Sequence, residues 1–113
     1  MKYLLMICAD ESIELTPEDQ EAARSGTEPW GQEMRARGVW LEGDRLRPVS
    51  DATTVRVRDR EVLIADGPFA ETKEQIAGFD IVECADLDEA IEVAAKHPVA
   101  RFGVIEVRPF WPL

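Results

Sequence analysis

KYLLMIC, residues Lys2–Cys8, is the stretch whose reading decides the fold. Its run of bulky apolar residues predicts a β-strand. Successive side chains of a strand point to opposite faces, so Tyr3, Leu5 and Ile7 share one side and Leu4, Met6 and Cys8 the other. Both sides are apolar. A strand with one face in water alternates apolar and polar; this one requires cover on both faces. GFDIVEC, Gly78–Cys84, repeats the pattern nearly as fully.

The flanking segments supply part of that cover. Thr16-Pro17-Glu18-Asp19 is a helix start: Thr16 caps free N–H groups, Pro17 suits the first helical position, and the acids favour the positive end of the dipole. Ser25-Gly26-Thr27-Glu28-Pro29 predicts an interruption, because proline inside a helix costs about 3 kcal/mol. Trp30 and Met34 then share a face, and Gly38 is a stop signal. Val39-Trp40-Leu41 predicts a short strand. TTVRVR, Thr53–Arg58, alternates strictly, turns at Asp59-Arg60 and returns over Glu61–Ala65, a hairpin whose arginines guard against edge pairing. Asp86 and Glu89 have the spacing of a capping box for a second helix. Its apolar face is Leu87, Ala90, Ile91 and Ala94. His97-Pro98 ends that helix, and Phe102–Arg108 is the last strand.

This order predicts an α+β domain, ferredoxin-like with an inserted β-hairpin. Two helices cover only one face of such a sheet. A second copy is the simplest cover for the other, and about 800 Å² buried per subunit is a standard association. The expectation is therefore a homodimer packed sheet to sheet, a dimeric α/β barrel. The alternative is that the hairpin folds back over the open face.

The totals fit one domain over residues 1–113, with 45% hydrophobic and 32% charged residues. A formal net charge of −10 argues against a nucleic-acid partner and against an anionic membrane surface. No run approaches the roughly 20 apolar residues of a membrane span, and Asp10 and Glu11 cut short any signal-like segment. A cytoplasmic location is expected, with Cys8 and Cys84 as reduced, buried thiols rather than a disulfide. One histidine and two distant cysteines make no zinc site, so no metal is expected. There is no glycine-rich phosphate loop and no nucleophile elbow, and no cofactor is expected.

Candidate site residues cluster at DGPFAETKEQ, Asp66–Gln75. Asp66 ends a strand before a Gly-Pro turn, a position that can aim a carboxylate into a pocket. Desolvated beside Phe69, it would serve as a general base; otherwise it accepts hydrogen bonds from its own loop. Phe69 is a core plug or a platform for a ligand. Glu71, Thr72 and Lys73 are a solvated charge run or ligand contacts. His97 is the one histidine. Its plain explanation is a positive charge at a helix C-terminus; its chemical one is an acid/base pair with Asp66. Arg108 shares a strand face with Val104 and Glu106, the face assigned to the dimer interior, where it binds an anionic substrate or pairs with an acid of the other subunit.

MKYLLMICADE, LRPVSDATTVRVRDREVLIADGPFAETKEQIAGFDIVE and DLDEAIEVAAKHPVARFGVIEVRP resemble the YCII-related family over nearly the whole chain, most closely its DGPF-domain subgroup. The resemblance implies a dimeric α/β barrel. It implies an association, for some members, with extracytoplasmic-function sigma factors. The wider family includes a dehydrochlorinase with a proposed His–Asp pair. This chain differs from those enzymes in having no histidine in its first strand or helix, and Cys8 stands where an aromatic residue is expected. Two functions follow as expectations. One is small-molecule binding in the barrel, bordered by Asp66–Lys73, with cofactor-free elimination or isomerisation. The other is a non-catalytic sensor or interaction module working with a sigma factor.

Overall fold

The computed structural model describes residues 1–112. Its elements are β1 (Lys2–Ala9), α1 (Pro17–Ala36), β2 (Trp40–Arg45), β3 (Thr53–Arg58), β4 (Glu61–Asp66), β5 (Gln75–Glu83), α2 (Leu87–Ala95) and β6 (Val104–Pro109), with 3-10 turns at Val49–Asp51 and Pro98–Arg101. Four strands form one sheet in the order β2-β5-β1-β6, and β3 and β4 form a separate ribbon. All neighbours in the larger sheet are antiparallel. The arrangement is a mixed α+β fold compatible with the ferredoxin-like plan, the ribbon being inserted between β2 and β5.

The two sides of β1 part as their alternation requires. Tyr3, Leu5 and Ile7 are buried with Val82 under Trp30 and Met34 of α1 and Ala90 and Val93 of α2. On the other side, Leu4, Met6 and Cys8 lie opposite Ile81, Phe79 and Ile76 of β5 and Arg108, Glu106 and Val104 of β6. Both helices lie on the first side. The second is only half-buried at β1 and exposed at Ile76 and Val104.

Capping proceeds as the residue types dictate. Thr16 Oγ1 accepts from Asp19 N at 3.1 Å, and Asp86 Oδ1 accepts from Glu89 N at 2.9 Å. Gly38 adopts φ +72 just past α1, in the left-handed region that halts a helix. The expected interruption at Ser25–Pro29 is absent: α1 runs unbroken through Pro29. Pro29 and Ser25 are both exposed, so the carbonyl that loses its donor stays within reach of water. Gly26 has a packing role instead. A Cβ there would stand 3.1 Å from Pro98 Cβ, so the glycine lets the Pro98–Arg101 turn approach α1. In α2 the buried stripe is Ala90, Val93 and Ala94, while Leu87 and Ile91 are about half exposed. The stripe is rotated from the expected one because Val93, not Ile91, takes the fully buried core place. Arg37, the C-cap residue of α1, holds Glu92 of α2 through both carboxylate oxygens, at 2.7 and 3.1 Å, and Lys96, the C-cap residue of α2, reaches Glu33 of α1 at 2.9 Å, which latches the helices together.

The β3–β4 ribbon turns at Asp59 and Arg60, with φ of 51° and 66°, the double left-handed turn whose twist suits a two-residue hairpin. It does not fold back over the open sheet face. Every strand residue except Thr54 is exposed. Cys8 and Cys84 are both free thiols; Cys84 is buried, while Cys8, expected to be buried too, is only half-buried because it lies on the open sheet face. Among the described residues no helix is long and apolar enough to cross a membrane.

Candidate functional site

The helix-covered side of the sheet is not filled throughout. Between α1, β2 and β5 it leaves a cleft of about 810 Å³, a size that suits a small organic ligand. Trp30 and Arg35 reach it from α1, Trp40 and Gly43 from β2, Asp80 from β5, and His97 from the segment after α2.

Asp80 is placed there by strand periodicity. It faces the same way as Val82 and Leu5, toward the helices, in a position that would ordinarily take an apolar residue. The Trp40 indole N–H donates to Asp80 Oδ1 at 2.9 Å. The Arg35 guanidinium lies 4.4 Å from the centre of the Trp40 ring, a cation–π contact. Burial pushes the Asp80 carboxyl up to about 6, against the opposing effects of the Trp40 hydrogen bond and the Arg35 charge. A carboxyl in that range changes protonation near neutral pH and can give or take a proton.

His97 is 5% exposed and follows the C-cap residue of α2, Lys96. It does not supply a positive charge to that helix end. Burial pushes its pKa down to about 4, so the ring is neutral at physiological pH. Its Nδ1 accepts from Val99 N at 3.1 Å, capping the Pro98–Arg101 turn. That bond leaves the hydrogen on Nε2, as a neutral donor. The ring meets Trp30 edge-on, with centroids 4.8 Å apart.

The other expected site residues lie elsewhere. Asp66, Phe69, Glu71, Thr72, Lys73 and Arg108 are all exposed, and none lines the cleft. The cleft thus holds His97 without Asp66. The corner after Asp66 is well pinned: Gly67, at φ +90, donates to Ala52 O at 2.8 Å, and Thr54 Oγ1 donates to Gly67 O at 2.8 Å. Thr72 spends its hydroxyl on Glu74 O at 2.8 Å, and Gln75 Nε2 closes the loop on Ala70 O at 3.0 Å. Phe69 is 79% exposed and plugs no core. Arg108 pairs with Glu106 on the open sheet face. Sequence reasoning missed Asp80, Trp40 and Arg35. One signal was present: Asp80 is the single charged residue inside the apolar run Gly78–Val82.

Two outcomes follow from this geometry. The pKa values of Asp80 and His97 give opposite contributions to stability. Asp80 is raised from 3.8 to about 6, so as pH falls from 6 to 4 the folded chain takes a proton that the unfolded chain refuses, and stability rises. His97 is lowered from 6.5 to about 4, so over nearly the same range the unfolded chain takes the proton, and stability falls. Urea titrations from pH 7 to 4 should show the acid loss shrinking in His97→Gln and growing in Asp80→Asn; parallel curves for all three proteins would contradict both assignments. Gly43 makes room for the carboxyl. A Cβ there would overlap Asp80 Oδ1 and stand 2.6 Å from the Phe79 carbonyl oxygen. Gly43→Ala should cost about 1–3 kcal/mol in a denaturant titration, as overpacking does.

Comparison with known proteins gives two findings. The family profile of the YCII-related domain matches residues 1–113. An uncharacterised protein of Rhizobium meliloti (strain 1021) is 48% identical over 67 residues, covering 58% of this chain and 54% of that protein. The chain thus spans about half the length of the curated relative it matches.

Proposed function

The chain belongs to the YCII-related domain family, and from that premise we propose that it binds a small polar or aromatic metabolite in the α1–β2–β5 cleft, with Asp80 as the proton-transfer group. The observation that carries this reading is the Asp80 carboxyl, desolvated, held by the Trp40 N–H and pushed up to about 6. The chemistry that suits it is acid/base elimination or isomerisation. Asp80 as carboxylate would take a proton from a carbon next to a carbonyl. In an isomerisation it would return that proton to a neighbouring atom. In an elimination the bond from the adjacent carbon to a leaving group would break with its electron pair, the proton passing to the departing group or to water. The neutral Nε2–H of His97 would donate to the oxygen on which charge develops. Arg35, stacked on Trp40, would hold an anionic group of the ligand.

Each cleft would sit in a homodimer packed through the open sheet face, closing a dimeric α/β barrel. The apolar run of Leu4, Met6, Phe79 and Ile81 on that face supports this. The test of the site is a thermal-shift panel of small carboxylates and phenols. Stabilisation by one class in the wild type, lost in Asp80→Asn or Arg35→Ala, is the expected result. A panel in which every stabilising compound acts equally on all three proteins would remove the cleft as the site.

A second reading draws on the Phe69 ring, held in solvent on the pinned Gly67-Pro68 corner. There the chain is a non-catalytic module that docks an extracytoplasmic-function sigma factor through Asp66–Lys73. Its mark would be salt-sensitive binding of a sigma factor that Phe69→Ala weakens.

A further inference from the structure

We propose that the cleft takes an amphipathic acid, a carboxylate whose apolar tail of alkyl or aryl carbons runs from the Arg35–Asp80 end toward Leu15, Val99 and Phe102. The proposal rests on the cleft reading above and adds to it the chemical class of the ligand.

The cleft has two unlike ends, and strand register separates them. Gly43 of β2 and Leu5 of β1 lie opposite Asp80, while Arg45 and Ile7 lie opposite Gly78, one step further along the sheet. Gly103 packs against the Cys8 carbonyl and Val99, which sets the Pro98–Arg101 turn beyond Ile7, beside the end of β1. Gly26 meets Pro98 of that turn, so α1 brings Ala23, one helical turn earlier, to the same end. From Leu5 to Cys8 the strand covers roughly 10 Å.

The first end is polar and held in place. The Arg35 side chain lies back over Gly31, where a Cβ would stand 3.1 Å from Nη1, and over the Trp40 ring. Among the described residues Arg35 forms no ion pair. A fixed guanidinium without a carboxylate partner suits the carboxylate of a ligand, which its planar fork can hold through two N–H groups.

The other end is apolar and open. Ile7, Leu15, Ala23, Val99 and Phe102 line it. All but Ile7 are only half-buried, so apolar surface there remains in contact with water. Gln20, Arg24, Thr27, Glu28 and Arg45 are exposed, and they edge the mouth. Between the two ends the sheet offers no side chain at Gly78, which faces the helices as Asp80 does. A tail can therefore lie along bare strand. The volume of about 810 Å³ is near the upper end of the range for drug-sized ligands, more than a carboxylate and one reacting carbon fill. Covering the half-buried apolar residues is what a hydrocarbon tail would add.

Calorimetric titration of the full chain with straight-chain carboxylates, butanoate through decanoate, near neutral pH tests this. In the wild type the dissociation constant should fall about threefold with each added methylene. The gain should stop once the tail has passed Val99 and Phe102. Leu15 lies in the loop before α1, outside every helix and strand. Leu15→Asp puts a charge in the path of the tail and should sharply reduce the gain per methylene. Phe102→Ala should do so more mildly. Arg35→Ala should weaken every acid by a similar factor and keep the slope. A series that depends on Arg35 but not on chain length overturns the tail while leaving the cleft standing. A slope that Leu15→Asp and Phe102→Ala both leave unchanged puts the tail on another apolar surface and also overturns the proposal. Acids that do not bind, or that bind Arg35→Ala equally well, overturn the cleft reading and the tail with it.

Discussion

Asp80→Asn is expected to lower turnover of whatever substrate the cleft accepts by about 10²–10⁴-fold, the usual contribution of a positioned acid or base. Asparagine is nearly the same size and keeps an oxygen for the Trp40 N–H, so the cleft retains its shape. The group proposed to move a proton is lost. In the wild type, kcat/KM should rise with pH through about 6, where Asp80 ionises. The residual rate of the variant should lack that inflection. Stability should move the other way. A carboxyl whose pKa is raised in the folded chain contributes stability at low pH and loses it as pH rises through about 6. The uncharged variant escapes that loss and should unfold at a higher temperature than the wild type at pH 8, while the gap closes toward pH 4. A variant that is inactive yet more stable at high pH is the signature of a desolvated catalytic group. A variant with full activity, or one with no stability gain at pH 8, would contradict the role given to Asp80.

Trp30→Ala carries the largest expected loss of stability, about 3–5 kcal/mol, a large part of the total for a domain of this size. Trp30 is 5% exposed in the core. Its indole N–H donates to Val93 O at 3.0 Å. Val93 lies in the last turn of α2, where carbonyls have no partner within the helix. One side chain of α1 thus fills the core, satisfies the end of α2 and backs the His97 ring. Trp30→Phe separates these roles. It keeps most of the packing but leaves the Val93 carbonyl short of a donor, at about 1–3 kcal/mol. Chemical denaturation should rank the wild type above Trp30→Phe, and Trp30→Phe above Trp30→Ala. Equal losses in the two variants would mean that packing contributes little there.

Most of the fold was legible because it rests on local rules. The double-sided apolar run at Lys2–Cys8 foretold the central strand, and the Thr16 and Asp86 caps foretold both helix starts. The hairpin over Thr53–Arg58 formed with its turn at Asp59-Arg60. The reading failed where a local rule met a tertiary one. Pro29 sits mid-helix because the Ser25 carbonyl that loses its donor lies at an exposed position, and Gly26 serves the approach of a distant turn.

The site was legible only in part. His97 was identified for being the one histidine, but its charge state was misread, because burial and the Val99 N–H decide it. The exposed corner at Asp66–Lys73 attracted attention through its motif. Asp80 escaped notice inside a strand that reads as core.

What the sequence determined by itself was the order of elements and the faces of each strand, since side-chain alternation and capping depend on near neighbours along the chain. Only the tertiary structure decided the chemistry. Arg35, Trp40, Asp80 and His97 come from four separate segments, and the cleft forms where those segments converge. The proton affinity of a carboxyl depends on how much water its surroundings exclude, and that surrounding exists only once the chain has closed around it.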